Sequence, residues 1–402
     1  MKIAYFVENY KRGGIDTFIK NLTSKKISND NFYLIYNKNN PGINYIKQKS
    51  ANIKYLHYSI FSWDQLFNKK NTHISLLIYK TFYSILFPLT FCYQIFRLIV
   101  FFKKNNFDKL MLINGGYPGS DICLAAVISW LKINPNNKPW LNFHNFALKR
   151  YKSFLLNFYK NQIDKIISKS VMGFISVSKI CTASLKSRKF LKKNKLFTIY
   201  NGHFFGRTNK QFSIKNFFNL PQNSKILLML AEYDLRKGHE YMIKAMDKII
   251  EAKPNVFLFI YGFGDKYLIE KLVSRSSSNK NIFLNNFEEN SASLISACDL
   301  MVMPSQQYES FGYAAIEAMS LKKVVVATNF GGLPEVIDNN STGYLVSRHK
   351  PNLFAKKILY LLDNSTVLKK MEKKSYLVYK KRFTSIQMIK SYNNLIKYNR
   401  II

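Results

Sequence analysis

The chain is short of acidic residues, cysteine and histidine, and each shortage removes a class of explanation. Its four cysteines, Cys92, Cys123, Cys181 and Cys298, stand far apart and form no C-x-x-C pair. That spacing excludes a disulfide framework and a zinc site, and it suits a reducing cytosol. The six histidines are scattered with no H-x-x-x-H pair. No G-x-G-x-x-G follows the first strand, which argues against a dehydrogenase. The opening "MKIAYFVENYKRGG" is no leader peptide, because its apolar run is a short strand ending at Glu8. A clean stretch of about 20 apolar residues is also missing. The most apolar region, 74–102, is interrupted by Lys80, Pro88 and Arg97, so a buried or interface-lying helix is expected rather than a span.

Only 23 Asp and Glu face 61 Lys and Arg, a formal net charge of +38. Codon usage explains part of it, since the chain is rich in Lys, Asn, Ile, Phe and Tyr. The functional explanations are an anionic membrane surface or nucleic acid. Basic residues cluster at "KSRKFLKKNK" (186–195) and "KKMEKKSYLVYKKRF" (369–383), with no finger, KH or RNP motif beside them. An anionic membrane surface is therefore the expected partner, and nucleic acid is not.

At 402 residues the chain calls for two domains. In the first half, β-branched and aromatic runs read as strands at 2–7, 31–36, 109–115, 139–144, 172–178 and 195–202. Segments of helical period, such as 121–132 and 150–169, separate them. The polar stretch 206–225 has no period and reads as a linker region. Strands then resume at 225–231, 255–262, 281–287, 299–305 and 322–328, with helices at 238–252, 265–274, 291–298 and 311–320 and from Pro351 onward. Such alternation predicts an α/β protein with two Rossmann-like domains, each a parallel sheet, whose strand ends face a central cleft. The expected division is 1–203 for the N-terminal domain and 204–380 for the C-terminal domain. A C-terminal helix at 381–402 is expected to pack back on the first.

Four loops carry candidate chemistry. Gly13-Gly14 precedes a helix whose N-terminus offers free N–H groups to an anion, although a Gly-Gly at that point is more often a plain turn. Arg236 and Lys237 sit between a strand and a helix with Gly238 at the turn, a placement that suits a diphosphate or else a solvated loop. In "PSQQYESFGYAAIEAMS", Ser310-Phe311-Gly312 opens a helix on which Glu317 stands among apolar neighbours. A poorly solvated carboxylate needs hydrogen-bond donors, and a vicinal diol supplies two. A surface ion pair is the bland alternative, weakened because no Lys or Arg stands at 313 or 321. Finally, "VVVATNFGGLPEVI" joins Gly331-Gly332 to Pro334-Glu335 as a loop feeding a helix.

In this order the motifs resemble the retaining glycosyltransferases of the GT4 family (glycosyl transferases group 1), which have the GT-B fold. The matching pieces are Gly13-Gly14, "FHN" with His144, "VS" at 177–178, "YNG" at 200–202, "RKG" at 236–238 and "YGFGD" at 261–265. "PS" at 304–305, the pair Glu309 and Glu317, "GGLPE" and "TGYLV" at 342–346 complete the series. The resemblance implies that Glu317 binds the nucleotide's ribose. It implies that Glu309, with N–H groups around Phe311 and Gly312, holds the donor sugar. Lys237, aided by Arg236 and the Gly14 N–H, would neutralise the diphosphate, and His144 would hydrogen-bond the sugar. Glu309, His144 and Lys237 are the candidate catalytic residues. No metal or other cofactor is implied, which agrees with the lack of a D-x-D motif. One departure stands out: Glu232 occupies a position where the family often has a second arginine for the diphosphate.

The implied reaction moves a hexose from a nucleotide-diphosphate sugar to a saccharide or lipid-linked saccharide, with retention. A role in bacterial surface polysaccharide synthesis (lipopolysaccharide, O-antigen or capsule) follows, in the cytoplasm and peripheral on the inner face of the membrane. The segment 150–170 interleaves Lys and Arg with Tyr151, Phe154, Phe158 and Tyr159, as an interfacial helix or an ordinary core-facing helix would. Two rivals are a sugar-nucleotide 2-epimerase of the same fold and, from another class, a basic nucleic-acid-binding protein.

Overall fold

The computed structural model describes residues 1–48, 53–67, 73–149, 153–204 and 212–398. The chain divides into two compact units, Met1–Tyr200 with Ser385–Ile402, and Asn201–Thr384.

In the first unit the runs "KIAYFV" and "KLMLIN" are buried almost end to end, as strands covered on both faces must be. They are β1 (Lys2–Val7) and β4 (Lys109–Asn114), with β2 (Asn31–Asn37) and β3 (Ile53–Tyr58) on one side. On the other lie β5 (Trp140–Phe143), β6 (Gly173–Ser176) and β7 (Leu196–Thr198). The order is β3-β2-β1-β4-β5-β6-β7, and every pairing is parallel. Helices α1 (Gly14–Leu22), α2 (His73–Lys104), α3 (Asp121–Ile133) and α4 (Phe154–Ser170) belong to this unit. Strand β3 was not foreseen: it is an edge strand whose "IKYLHY" mixes charge with apolar residues and is mostly half-exposed.

The apolar region forms a single helix, as expected: α2 runs through Lys80, Pro88 and Arg97. An interior proline costs roughly 3 kcal/mol in an isolated helix. Here Phe87, Phe91, Leu98 and Phe102 are buried on either side of it, and their packing offsets the loss. Lys80 and Arg97 are exposed, so neither charge is desolvated. By length and composition alone, Tyr79–Lys104 is long and apolar enough to cross a membrane.

The second unit contains β8 (Lys225–Leu230), β9 (Val256–Gly262), β10 (Ile282–Asn286), β11 (Leu300–Met303), β12 (Val325–Thr328) and β13 (Gly343–Val346). They form a second parallel sheet in the order β10-β9-β8-β11-β12-β13. Its helices include α5 (His239–Ala252), α6 (Tyr313–Ser320) and α7 (Ser365–Arg382). Leu227, Met242, Met246, Leu258, Val302, Val326 and Ile358 form much of one core. The closing helix, α8 (Ser385–Tyr398), belongs to the first unit: its Tyr392 ring lies 5.4 Å from Phe18 of α1, and Asn142 of β5 donates to the Tyr392 hydroxyl at 2.9 Å.

Part of the segment read as a linker is packed. Ile214 is fully buried, and the Phe218 ring sits 4.6 Å from Phe259 and 5.3 Å from Phe283 on the sheet. Its isolated apolar residues are too few to give a period, so only the sheet beneath them reveals the packing. Residues 206–211 of that segment, 150–152 of the interleaved helix and 399–402 of the closing helix lie outside the described residues. Ile214→Ala should therefore cost about 2–4 kcal/mol in urea unfolding. An unchanged midpoint would return the segment to a free linker.

Candidate active site

In an open parallel sheet, ligands bind beyond the carboxyl ends of the strands where the strand order reverses. The reversal lies between β8 and β11 in the second unit and between β1 and β4 in the first. The expected residues of each unit gather there or on the loops beside it.

After β8 the chain makes one 3-10 turn, Leu235–Lys237, capped by Asp234, whose carboxylate accepts from the Arg236 N–H at 2.8 Å. Gly238 follows at φ 82°. A Cβ there would collide with the Pro304 carbonyl oxygen, so this turn can lie against the loop after β11 only as glycine. The N–H groups of Gln306 and Gln307 donate to the Arg236 carbonyl at 2.8 and 3.1 Å, locking the two loops together. On the other side Gly331, at φ 60°, would drive a Cβ into the Glu309 carbonyl oxygen, and the Gly332 N–H donates to that oxygen at 2.9 Å.

This crowding brings Lys237 and Glu309 together. The Lys237 ammonium lies 3.1 Å from Glu309 Oε2, and Ser305 Oγ donates to the same oxygen at 2.9 Å. Glu309 is only 7% exposed, so its charge is held by these two donors. Among the described residues no protein donor reaches its other oxygen, Oε1. Phe311 is buried, its ring 5.9 Å from Phe383, so only its backbone can meet a ligand. Gly312, at φ 101°, caps α6.

Glu317 stands on α6 with its carboxylate 3.8 Å from His203 Nδ1. Sequence reasoning missed His203, which directly follows the "YNG" piece. Its carbonyl accepts from the Tyr379 hydroxyl at 2.8 Å, and Tyr313 of α6 donates to the Gly202 carbonyl at 3.0 Å. Ser305 was legible as part of "PS", but its hold on Glu309 was not. Arg236 spends its guanidinium on Asp234, with Nε at 2.9 Å and a terminal nitrogen at 2.6 Å. That hydrogen-bonded pair holds the Asp234 carboxyl below its usual range. The Glu232 carbonyl accepts from His239 Nε2 at 2.9 Å.

In the first unit, open space lies beside both Gly13 and Gly14 where α1 begins. The Gly13 N–H is taken by Asp16 Oδ2 at 2.8 Å, and Asn9 donates to Asp16 Oδ1 at 2.9 Å. His144 follows β5, its N–H donating to the Asn114 carbonyl at 3.0 Å and its ring 4.2 Å from Phe18. Burial takes its pKa down to about 3, so the imidazole is neutral. Its buried Nε2 has no protein partner among the described residues. A polar cluster not foreseen surrounds Glu8 at the end of β1. Ser120 donates to the Glu8 carboxylate, Tyr83 donates to Asp121 at 2.8 Å, and Lys160 pairs with Asp121. Burial pushes the Glu8 carboxyl up to about 7 and the Asp64 carboxyl well above its usual range. In the sequence Glu8 marks only the end of a strand, because Ser62 and Ser120, which join the nearby Tyr10 around it, come from far along the chain.

The segment carrying Lys237, Glu309 and Glu317 falls inside residues 210–378, which match the model described as glycosyl transferases group 1. That segment, less than half of the chain, is similar to the family. The chain is 26% identical over 216 residues to N-acetyl-alpha-D-glucosaminyl L-malate synthase of Bacillus anthracis. That match covers 52% of this chain and 56% of the relative, so it spans little more than half of each. A solved glycosyltransferase from Rickettsia africae superposes with TM-score 0.78 at 20% identity, covering 98% of this chain and 97% of the other. HepE of Anabaena, solved in complex with UDP-glucose, gives TM-score 0.71 at 15% identity over 98% of both chains. These likenesses establish the fold as GT-B.

The buried carboxyl gives the protein a pH signature. Glu8 binds its proton more tightly folded than unfolded, because its pKa rises from 4.5 to about 7. Its contribution to stability is therefore full below about pH 4.5 and is lost as pH rises through 7. Glu8→Gln should flatten that part of a plot of thermal midpoint against pH. A variant whose midpoint falls as steeply as the wild type's would remove Glu8 as the group responsible.

Proposed function

We propose that the protein transfers a hexose from a nucleotide-diphosphate sugar to a saccharide or lipid-linked saccharide, with retention at the anomeric carbon. The observation that supports this best is the Lys237–Glu309–Ser305 constellation at the strand-order reversal, within the family-matched segment. HepE, solved with UDP-glucose, supports a nucleotide-sugar donor. The proposed setting is bacterial surface polysaccharide synthesis (lipopolysaccharide, O-antigen or capsule), in the cytoplasm and peripheral on the inner face of the membrane.

In this reading Glu317 accepts the two ribose hydroxyls, beside His203. Glu309, already oriented by Ser305, accepts a sugar hydroxyl on Oε1, and the N–H groups around Phe311 and Gly312 meet the same sugar. His144, being neutral, can donate to or accept from a sugar hydroxyl across the working pH range. The base lies by the 261–265 loop and Phe287, where the exposed Phe263 and Phe287 rings stand 5.8 Å apart. When the anomeric C–O bond breaks, the electron pair leaves with the diphosphate. Lys237 and the Gly14 N–H stabilise that growing charge, and such preorganised stabilisation is commonly the largest part of a rate enhancement. Arg236 is held by Asp234 and Glu232 brings no cation, so Lys237 carries most of this load. The acceptor hydroxyl attacks from the face the leaving group vacates and passes its proton to the leaving phosphate oxygen. Glu309 and Glu317 hold the donor and do not attack it, unlike the carboxylate pair of a retaining glycosidase.

A thermal-shift series with UDP-, GDP-, ADP- and dTDP-sugars should give a shift with one nucleotide class. Glu317→Ala should weaken that donor about 10–100-fold, while Glu309→Ala keeps the shift and slows transfer. No shift with any of the four, or unchanged affinity in Glu317→Ala, would sink the assignment. Product formed from a pure α-linked donor in excess EDTA should be α-linked by NMR and made at the untreated rate. A β-linkage would overturn retention, and loss of activity with EDTA would overturn metal independence.

A further inference from the structure

Helix α2 is apolar on two opposite faces. One stripe, Phe87, Phe91, Gln94, Leu98 and Phe102, is buried. The other, Phe82, Ile85, Leu89, Tyr93, Phe96 and Val100, is bare, with Leu89 70% and Phe96 64% exposed. Both repeat at three and four residues, so they are continuous faces of one helix. The neighbouring α4 touches α2 through Tyr159, whose ring is 5.9 Å from Phe87. Its first turn adds the exposed side chains Phe154, at 84%, Leu155 and Phe158. An apolar surface of this length marks an interaction site on a soluble domain.

We infer that this outer stripe of α2, extended by the first turn of α4, lies flat on an anionic lipid surface. The inference gives a contact surface to the peripheral localisation proposed above and is independent of how the donor is held. Charge selects the occupant. No Asp or Glu occurs anywhere in His73–Lys104, whereas Arg97, Lys103 and Lys104 lie at the stripe's C-terminal end. A second copy docked stripe to stripe would set cation against cation, in a chain of net charge +38. Anionic headgroups complement the same residues, each worth about 1 kcal/mol near such a surface. Composition agrees, since Phe and Leu face outward while Tyr93, whose hydroxyl accepts from Arg97 at 3.0 Å, has a polar end to leave at the headgroups.

The helix lies on the bilayer and does not cross it, because its inner face is bonded to protein along its length. Tyr83 donates to Asp121 at 2.8 Å, and Trp63 donates to the Thr90 hydroxyl at 3.0 Å. Gln94 donates to the Phe61 carbonyl, and Ser129 of α3 to the Ile95 carbonyl, both at 3.0 Å. Spanning would tear out these bonds and the buried aromatic stripe together.

Flotation of the full chain with phosphatidylcholine vesicles, with and without phosphatidylglycerol, tests the inference. The protein should float with the anionic vesicles, stay down with the neutral ones, and be released as salt rises. The double variant Leu89→Glu, Phe96→Glu changes only exposed positions and should lower recovery about tenfold. Its donor-induced thermal shift should be unchanged, which separates failure of this inference from failure of the donor assignment. Wild-type protein that stays down with anionic vesicles, equal recovery on both, or a variant that floats like the wild type would each overturn it. A dimer in light scattering that the double variant dissolves would assign the stripe to a second copy instead.

Discussion

The candidate site depends on backbone crowding beyond the ends of β8, β11 and β12. Lys237 and Glu309 are 72 residues apart, and they meet because three loops come into contact along their main chains. Gly238 against Pro304 and Gly331 against Glu309 are the two points where a side chain would prop the loops open. Both residues hold positive φ, a conformation glycine adopts without the penalty other residues bear. The hydrogen bonds from Gln306, Gln307 and Gly332 then fix the spacing, so the carboxylate and ammonium need little rearrangement to reach each other.

Much of the fold was legible because buried parallel strands leave unbroken apolar runs. β1, β4, β8, β9 and β12 are of this kind, and their limits fall within a few residues of those read from the sequence. The two strands not read, β3 and β13, are both sheet edges: β3 is half-exposed and admits lysine and histidine, while β13 is buried but only four residues long and opens on glycine. The same logic explains α2. Proline and two charges look like breaks along a line of letters, but two of the three face outward and packing on both sides holds the helix through the third. Ile214 and Phe218 went unread because tertiary contact alone gives them a partner.

Legibility of the site followed chemistry that is local in sequence. The glycines and the residues beside them announced loops, and Glu317 announced itself by apolar neighbours on its own helix. His203 and most of the cluster around Glu8 act on groups far away in the chain, whereas Ser305 reaches Glu309 four residues on, through a loop shape that the letters do not show. Arg236 shows the opposite failure, since its sequence context suggests a free cation while Asp234, two residues earlier, has already engaged it.

The Lys237–Glu309 pair also bears on selectivity among ligands. Lys237 and Glu309 hold each other, cation against anion. A simple inorganic anion could draw Lys237 away only by stranding Glu309 in a buried setting, a loss that offsets the gain. A molecule carrying both an anionic group and hydroxyls satisfies the two partners at once as it parts them. On the proposed assignment, the mutual grip of these residues lets a complete donor compete where free phosphate, present in every cell, does not.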